Sequence, residues 1–181
     1  MYGHIETMAK KVAEGAAKAG AHVKIMRIPE TLPDEVLQKM GAPKKSEEYK
    51  DATPSDLAEA DCILFGIPTR FGMAAAQVKA LMDHTGSLWA KGELHGKMAG
   101  IFVSTATQSG GQETTALTFI TQFTHHGMIF VPIGYGNKNL MNMEEVRGGS
   151  PYGAGCFAGP KGERMPSKLE LELAEYQVET S

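Results

Sequence analysis

Cysteine is scarce in this chain: Cys62 and Cys156 stand alone, with neither the spacing of a metal site nor the number for a disulfide framework. A reducing cytoplasm is the expected compartment. No apolar run approaches the ~20 residues of a membrane span, and no charged segment followed by an apolar one opens the chain. Charge of one sign is also lacking. With 18 Lys+Arg against 21 Asp+Glu the net charge is −3, which excludes the basic footprint of a nucleic-acid binder and the strong acidity of a small docking electron carrier. The sequence contains no G-x-G-x-x-G, P-loop, H-E-x-x-H or G-x-S-x-G, so a dinucleotide fold of the usual fingerprint, an NTPase, a zinc protease and an α/β-hydrolase lose support. No Ser/His/Asp set can be assembled and no metal ligands are expected. The 11 methionines are scattered, as core filler is. At 181 residues the chain fits one domain, 1–181, with a sizeable core.

What is present is a pair of strand-to-loop junctions. MAGIFVSTATQSGGQET, Met98 to Thr114, is an apolar run that stops at a hydroxyl- and glycine-rich turn before helical sequence. ADCILFGIPTRFG, Ala60 to Gly72, does the same. Two such loops emerge side by side at the carboxyl edge of one parallel sheet, where open α/β folds bind ligands. The opening MYGHIETM resembles a third loop of this kind.

Helical spacing of Ile5, Met8, Val12, Ala16 and Ala19 predicts a first helix that Gly20 stops. Ala21 to Ile28 alternates and reads as a strand near the sheet edge. Pro29 to Ser55 reads as a long connection with one short helix around Asp34 to Met40. Cys62 to Ile67 predicts a strand buried on both faces, Met73 to Leu88 a crossover helix, Lys97 to Ser104 the next strand, Gln112 to His126 a helix and Met128 to Ile133 the last strand. Gly134 to Pro166 is long, glycine-rich and aperiodic, so a functional loop or one ordered by a partner is expected. Ser167 can cap a final helix with Leu169, Leu173 and Tyr176 inside.

The loops carry the chemistry. Tyr2, the Gly3 turn and the amides of His4 and Ile5 offer an anion site at a helix start, or merely a helix end. In Pro68-Thr69-Arg70-Phe71-Gly72, Thr69 supplies a hydroxyl, Arg70 a planar cation and Phe71 an aromatic wall, although a plain tight turn also fits. Ser104 to Gly111 can hydrogen-bond a heterocycle through backbone groups. His125 and His126 point about 100° apart on a helix, a poor metal pair. Trp89, the single tryptophan, suits packing or a ligand wall.

Taken together, MYGHIETM, PTRFG, STATQSGGQE, HHGM with VPIGY, and VRGGSPYGA resemble the flavodoxin-like NAD(P)H:quinone oxidoreductases of the WrbA type, in the family's order and over essentially the whole chain. The resemblance implies a doubly wound parallel sheet of order 2-1-3-4-5, FMN at its carboxyl edge, a homotetramer with active sites near subunit contacts, and ping-pong two-electron reduction of quinones by NADH or NADPH. It implies that Met1, Tyr2, Gly3, His4 and Ile5 hold the FMN phosphate and that Tyr2 also meets the nicotinamide nucleotide. Thr69, Arg70, Phe71, Ser104, Thr105, Ala106, Thr107, Gln108, Ser109 and Gly110 would border the isoalloxazine. His125 would lie against the cofactor as a candidate hydrogen-bond donor to the developing hydroquinone, and Trp89 would line the substrate pocket. Members normally begin with an apolar strand just before the position of Met1 and extend the last helix beyond Ser181, so a chain lacking the first strand and truncated at both ends is expected. A flavodoxin-like electron carrier and a flavin-free interaction subunit are the alternatives.

Overall fold

The computed structural model describes residues 2–179. In chain order the elements are α1 (His4–Lys18), α2 (Asp34–Lys39), α3 (Pro54–Glu59), β1 (Cys62–Arg70), β2 (Met73–Ala74), α4 (Ala76–Asp83), α5 (Gly86–Lys91), β3 (Met98–Thr105), α6 (Gln112–His126), β4 (Ile129–Phe130), a 3₁₀ turn (Lys138–Met141), β5 (Gly155–Phe157) and α7 (Lys168–Glu179). β1 and β3 pair in parallel from Cys62 opposite Met98 to Pro68 opposite Ser104. The far side of β3 is shared by two short strands in line. β4 takes Met98 and Ala99, and β5 takes Val103 to Thr105.

One strand is thus interrupted, with residues 131–154 looped out between its halves. The expected last strand, Met128 to Ile133, keeps only Ile129 and Phe130, and its partner half lies within a segment read as irregular. Three residues of β5 are too few to impose a period on the sequence. They are held instead by β3 and by Gln177, whose Oε1 accepts from Ala154 N at 2.8 Å while its Nε2 donates to Ile101 O at 3.0 Å.

The strand expected over Ala21 to Ile28 does not form; the sheet runs β2-β1-β3-β4 with β5 on β3, so β1, β3 and the split β4/β5 stand in the places of strands 3, 4 and 5 of the expected 2-1-3-4-5 order, and the first two strands of that order are not seen among the described residues. An extended segment becomes a strand only where a neighbour supplies its ladder, and here the backbone contact is a single bridge of Arg27 with Asp51, reinforced by Arg27 Nε on Asp51 Oδ1 at 2.6 Å. The same lack of a neighbour explains β1. Of its apolar run only Phe65 and Ile67 are buried, whereas β3, flanked on both sides, buries everything after Met98.

Helices cover both faces of the sheet. On one face α3, α4, α5 and α6 enclose Phe65, Ile67, Val78, Met82, Ile101, Phe119 and Phe123. Phe119 and Phe123 meet edge to face at 5.3 Å, and both lie on Phe65. On the other face α1 and α7 enclose Met8, Val12, Phe102, Leu173, Ala174 and Val178. Gly15 permits that second layer, since a Cβ there would stand 2.1 Å from Glu175 O. The crossover helix breaks at Thr85, whose buried hydroxyl donates to Met82 O at 2.6 Å, giving α4 and α5 in place of one helix. α3, which begins at the end of the long connection and runs on past Ser55, was not foreseen, although Thr53-Pro54-Ser55-Asp56 is a capping box with proline in its first turn. α7 buries Glu170, Leu173, Ala174, Gln177 and Val178, while Leu169 and Tyr176 are half-buried. Its inner stripe carries two polar residues because both serve the backbone of the loop they cover. Among the described residues no helix is long and apolar enough to cross a membrane.

Candidate functional site

The carboxyl ends of β1 and β3 bring two predicted loops into contact. Arg70 and Met73 pair across a two-residue hairpin whose loop residues both have positive φ, 54° at Phe71 and 77° at Gly72. Paired positive φ values are the mark of a type I′ turn, which favours Asn-Gly. Phenylalanine at the first position is strained, and its side chain is 103% exposed, so no burial compensates. Gly72 packs on Gly111, where a Cβ would lie 3.1 Å from Gly72 Cα.

Hydroxyls lock this contact in one direction. Thr115 Oγ1 lies 2.6 Å from Gly111 O, and a carbonyl can only accept, so the Thr115 proton goes there. Thr69 Oγ1, 2.7 Å from Thr115 Oγ1, must then donate to it, and itself accepts from Gly72 N at 3.1 Å. The Thr69 hydroxyl therefore meets any ligand as an acceptor. Arg70 is exposed, with Nη1 donating to Thr69 O at 2.8 Å.

In the second loop Ser104 and Thr105 are buried and Ala106, Thr107, Gln108 and Ser109 are exposed, Ser109 with φ 55°. Ala158 N and Gly159 N donate to Thr105 O and Ala106 O at 2.8 and 2.9 Å, and Gly110 N donates to Thr107 O at 3.2 Å. Gln112 adds a brace: its Nε2 donates to Thr105 Oγ1 and Cys156 O at 3.2 and 3.0 Å, and its Oε1 accepts from Gly149 N at 2.7 Å.

The third loop is the start of α1. Gly3, with φ 91°, occupies the N-cap and no side chain caps the helix, so first-turn amides remain for a ligand. A Cβ at Gly3 would meet only Met165 Cε at 4.0 Å. His4 is buried and its Nε2 has no partner, while Ile5 packs towards Gly66 of β1. Tyr2 is half exposed and its hydroxyl donates to Met40 O at 3.1 Å. Met1 lies outside the described residues.

His125 and Trp89 are not brought to these loops within one chain. They line a cleft of about 330 Å³ with Met82, Asp83, Thr85 and His126. This cleft sits at the C-terminal end of α6, whose 15 residues put it ~20 Å from Gly111. The sequence pairs His125 with the cofactor loops only through resemblance; helix length separates them. Next to it, His126 donates from Nε2 to Thr85 Oγ1 at 2.9 Å, because the Thr85 proton is committed to Met82 O. Burial, with the adjacent His125 adding to it, holds the His126 pKa below the usual imidazole value.

Three residues outside the sequence-based candidates organise the site. Thr115 and Gln112 are described above, and the third is Glu170, fully buried. It accepts from Gly148 N, Phe157 N and Ser167 N at 2.7, 3.2 and 2.7 Å and pairs with Arg164 at 2.8 Å. The available signal was Ser167-x-x-Glu170, a capping box. Cys156, beside Ser104, has its thiol pushed up to about 11 by burial and is inert as a nucleophile. Among the described residues no cluster suits a metal ion. The site is an edge of amides, hydroxyls and one exposed ring, suited to holding a flat heterocycle and its phosphate.

The family model for NADPH-dependent FMN reductase matches residues 3–139. The chain is 58% identical over 178 residues to a quinone-oxidoreductase QR2 of Triphysaria versicolor, covering 97% of this chain and 86% of that one. It is 54% identical to the NAD(P)H quinone oxidoreductase YCP4 of Candida albicans and to a probable NAD(P)H dehydrogenase (quinone), FQR1-like 2, of Arabidopsis thaliana. Each alignment takes in 98% of this chain, which spans less than two thirds of those two relatives, 62% and 65%. In structure it is similar to a WrbA-like flavodoxin protein from Agrobacterium tumefaciens, with a TM-score of 0.65 at 22% identity over 99% of this chain and 88% of that one. An archaeal flavodoxin gives 0.60 at 15% identity, over 99% and 89%. These likenesses bear on the fold.

Proposed function

The chain belongs to the NADPH-dependent FMN reductase family, and from that premise we propose that it is an FMN-dependent NAD(P)H:quinone oxidoreductase. The observation that carries the reading is the carboxyl edge itself. An uncapped 15-residue helix behind a left-handed glycine fits a phosphate, and two hydroxyl-rich loops fit a flavin ring. The residues present suit FMN: Tyr2, Gly3, His4 and Ile5 for the phosphate, with Met1 expected beside them, and Thr69 to Phe71 with Ser104 to Gly110 for the ring. Bound FMN supplies hydride acceptance from NAD(P)H and two-electron delivery to a quinone, so no side chain has to be a nucleophile.

The protein's own part is positioning. Thr69 offers an acceptor, Arg70 a cation and Phe71 a ring edge, and Tyr2 would meet the nicotinamide nucleotide. His125 and Trp89 serve the site of a second copy in a homotetramer. There the His125 imidazole N–H would donate to a quinone oxygen beside the Trp89 ring. The exposed Phe71, Met73 and Leu117 at the hairpin and on α6 give such an assembly apolar surface to cover.

The test is FMN titration of the purified chain, followed by bleaching with NADH or NADPH and quinone turnover. A chain that takes up no FMN refutes the reading. For the shared site, His125→Ala is mixed with Gly3→Asp, which places a charge on the phosphate cradle. Each alone should turn over poorly, and mixed oligomers should regain activity. Failure to complement would place His125 outside the neighbour's site.

A further inference from the structure

We propose that Thr115, completely buried behind the ligand-facing loops, is the positioning residue that holds the strained Phe71-Gly72 turn against the Ser104 to Gly111 loop. The proposal rests on the reading of this edge as an FMN site and names a residue on which that site depends.

Thr115 is completely buried, on the first turn of α6. Its position four residues after Gly111 lets its backbone N and its hydroxyl both donate to Gly111 O, at 3.0 and 2.6 Å. The hydroxyl proton is thereby fixed, and its oxygen becomes an acceptor aimed at Thr69. Thr69 responds by donating, and the lone pair it keeps takes Gly72 N–H. Four groups are ordered in one chain, from the Gly72 amide through two hydroxyls to the Gly111 carbonyl.

Two loops that bound the candidate site are thus joined at one hydroxyl, and one of them carries a left-handed phenylalanine. Such strain persists only where surrounding contacts over-determine it. Thr118 gives the turn no comparable hold, because its single hydroxyl proton goes to Thr114 O at 2.8 Å while Gly72 O stands 3.4 Å away. Without the Thr115 acceptor the Thr69 hydroxyl would turn to another partner, and the Gly72 amide would lose its fixed acceptor. Phe71 would then leave its conformation, because nothing buried holds its ring. A valine at 115 fills the same volume, so packing on α6 is kept while the chain is cut.

The experiment compares Thr115→Val, Thr115→Ser and Thr69→Val by amide exchange of Gly72 without ligand and by FMN affinity from flavin fluorescence. Thr115→Val should speed Gly72 exchange and weaken FMN binding by about tenfold each, the loss expected for one buried hydrogen bond. Thr115→Ser, which keeps the hydroxyl, should stay within about twofold on both. Thr69→Val removes the Gly72 acceptor itself and so sets the full loss, which the double valine variant should not exceed; should Thr115→Val fail to fold, Thr115→Ala takes its place. Unchanged exchange in Thr115→Val, a serine variant as impaired as the valine, or additive losses in the double variant would overturn the proposal. A wild-type chain that binds no FMN would sink the cofactor reading, while the exchange measurement would still decide the role of Thr115.

Discussion

Replacing Glu170 by glutamine should be among the most damaging isosteric changes in this protein. The side chain is fully buried on α7. Its Oε1 accepts from Gly148 N and Phe157 N at 2.7 and 3.2 Å, its Oε2 from Ser167 N at 2.7 Å, and both face Arg164 Nη1, at 3.0 and 2.8 Å. Glutamine keeps shape and volume but has one oxygen. Whichever way it is turned, its amide NH₂ points at donors, and Arg164 loses its counter-charge. Removing one partner of a buried ion pair costs about 3–5 kcal/mol, against a total of about 5–15 kcal/mol for a domain. At roughly 2–4 °C per kcal/mol for a chain of this size, the melting temperature should fall by roughly 6–20 °C. Urea unfolding followed by circular dichroism, with Glu170→Asp and Arg164→Gln alongside, measures it. A loss below about 1 kcal/mol in Glu170→Gln would refute the claim that one carboxylate fastens three backbone segments.

Gly15→Ala should destabilise by about 1–3 kcal/mol, because its Cβ would meet backbone rather than a side chain that can move; the urea midpoint checks it. Asp56 has its pKa lowered from 3.8 to about 2, chiefly by hydrogen bonds from the Thr53 side chain and Lys24. Its folded-state pKa is depressed, so its contribution is full above pH 3.8 and disappears as pH falls towards about 2; the Asp56→Asn stability curve should lie closer to wild type at pH 2 than at pH 6. His126, with its pKa held below 6.5, disfavours the folded state as pH falls under that unfolded value, so His126→Gln should flatten the stability profile below about pH 6.5, read from urea midpoints. A thiol reagent at pH 8 should modify exposed Cys62 and spare Cys156, as mass spectrometry of the folded chain would reveal.

The sequence announced the elements whose period is long or whose ends are chemically marked. α1 and α6 follow their apolar spacing, β3 its unbroken run, and α7 the serine before it. Legibility failed where a partner decides the outcome. Ala21 to Ile28 alternates like a strand but has no ladder to join. β5 is three residues of no special composition, assigned by β3 and two glutamines. Within the candidate site, Thr69, Phe71 and the Ser104 to Gly110 loop could be singled out because a glycine- and hydroxyl-rich turn follows a buried run, although a plain tight turn fits Pro68 to Gly72 as well. Thr115, Gln112 and Glu170 were not, since a polar residue in a helix usually faces water and only the fold turns these inward.

By itself the sequence determined that a parallel α/β sheet presents glycine- and hydroxyl-rich loops at its carboxyl edge, because strand-ending turns and helix starts are encoded locally. The tertiary structure alone decided which hydroxyl donates and which accepts, since a proton's direction depends on partners distant in sequence. It also decided that Trp89 of α5 meets His125 in a cleft at the far end of α6 from those loops, because elements distant in sequence pack together there.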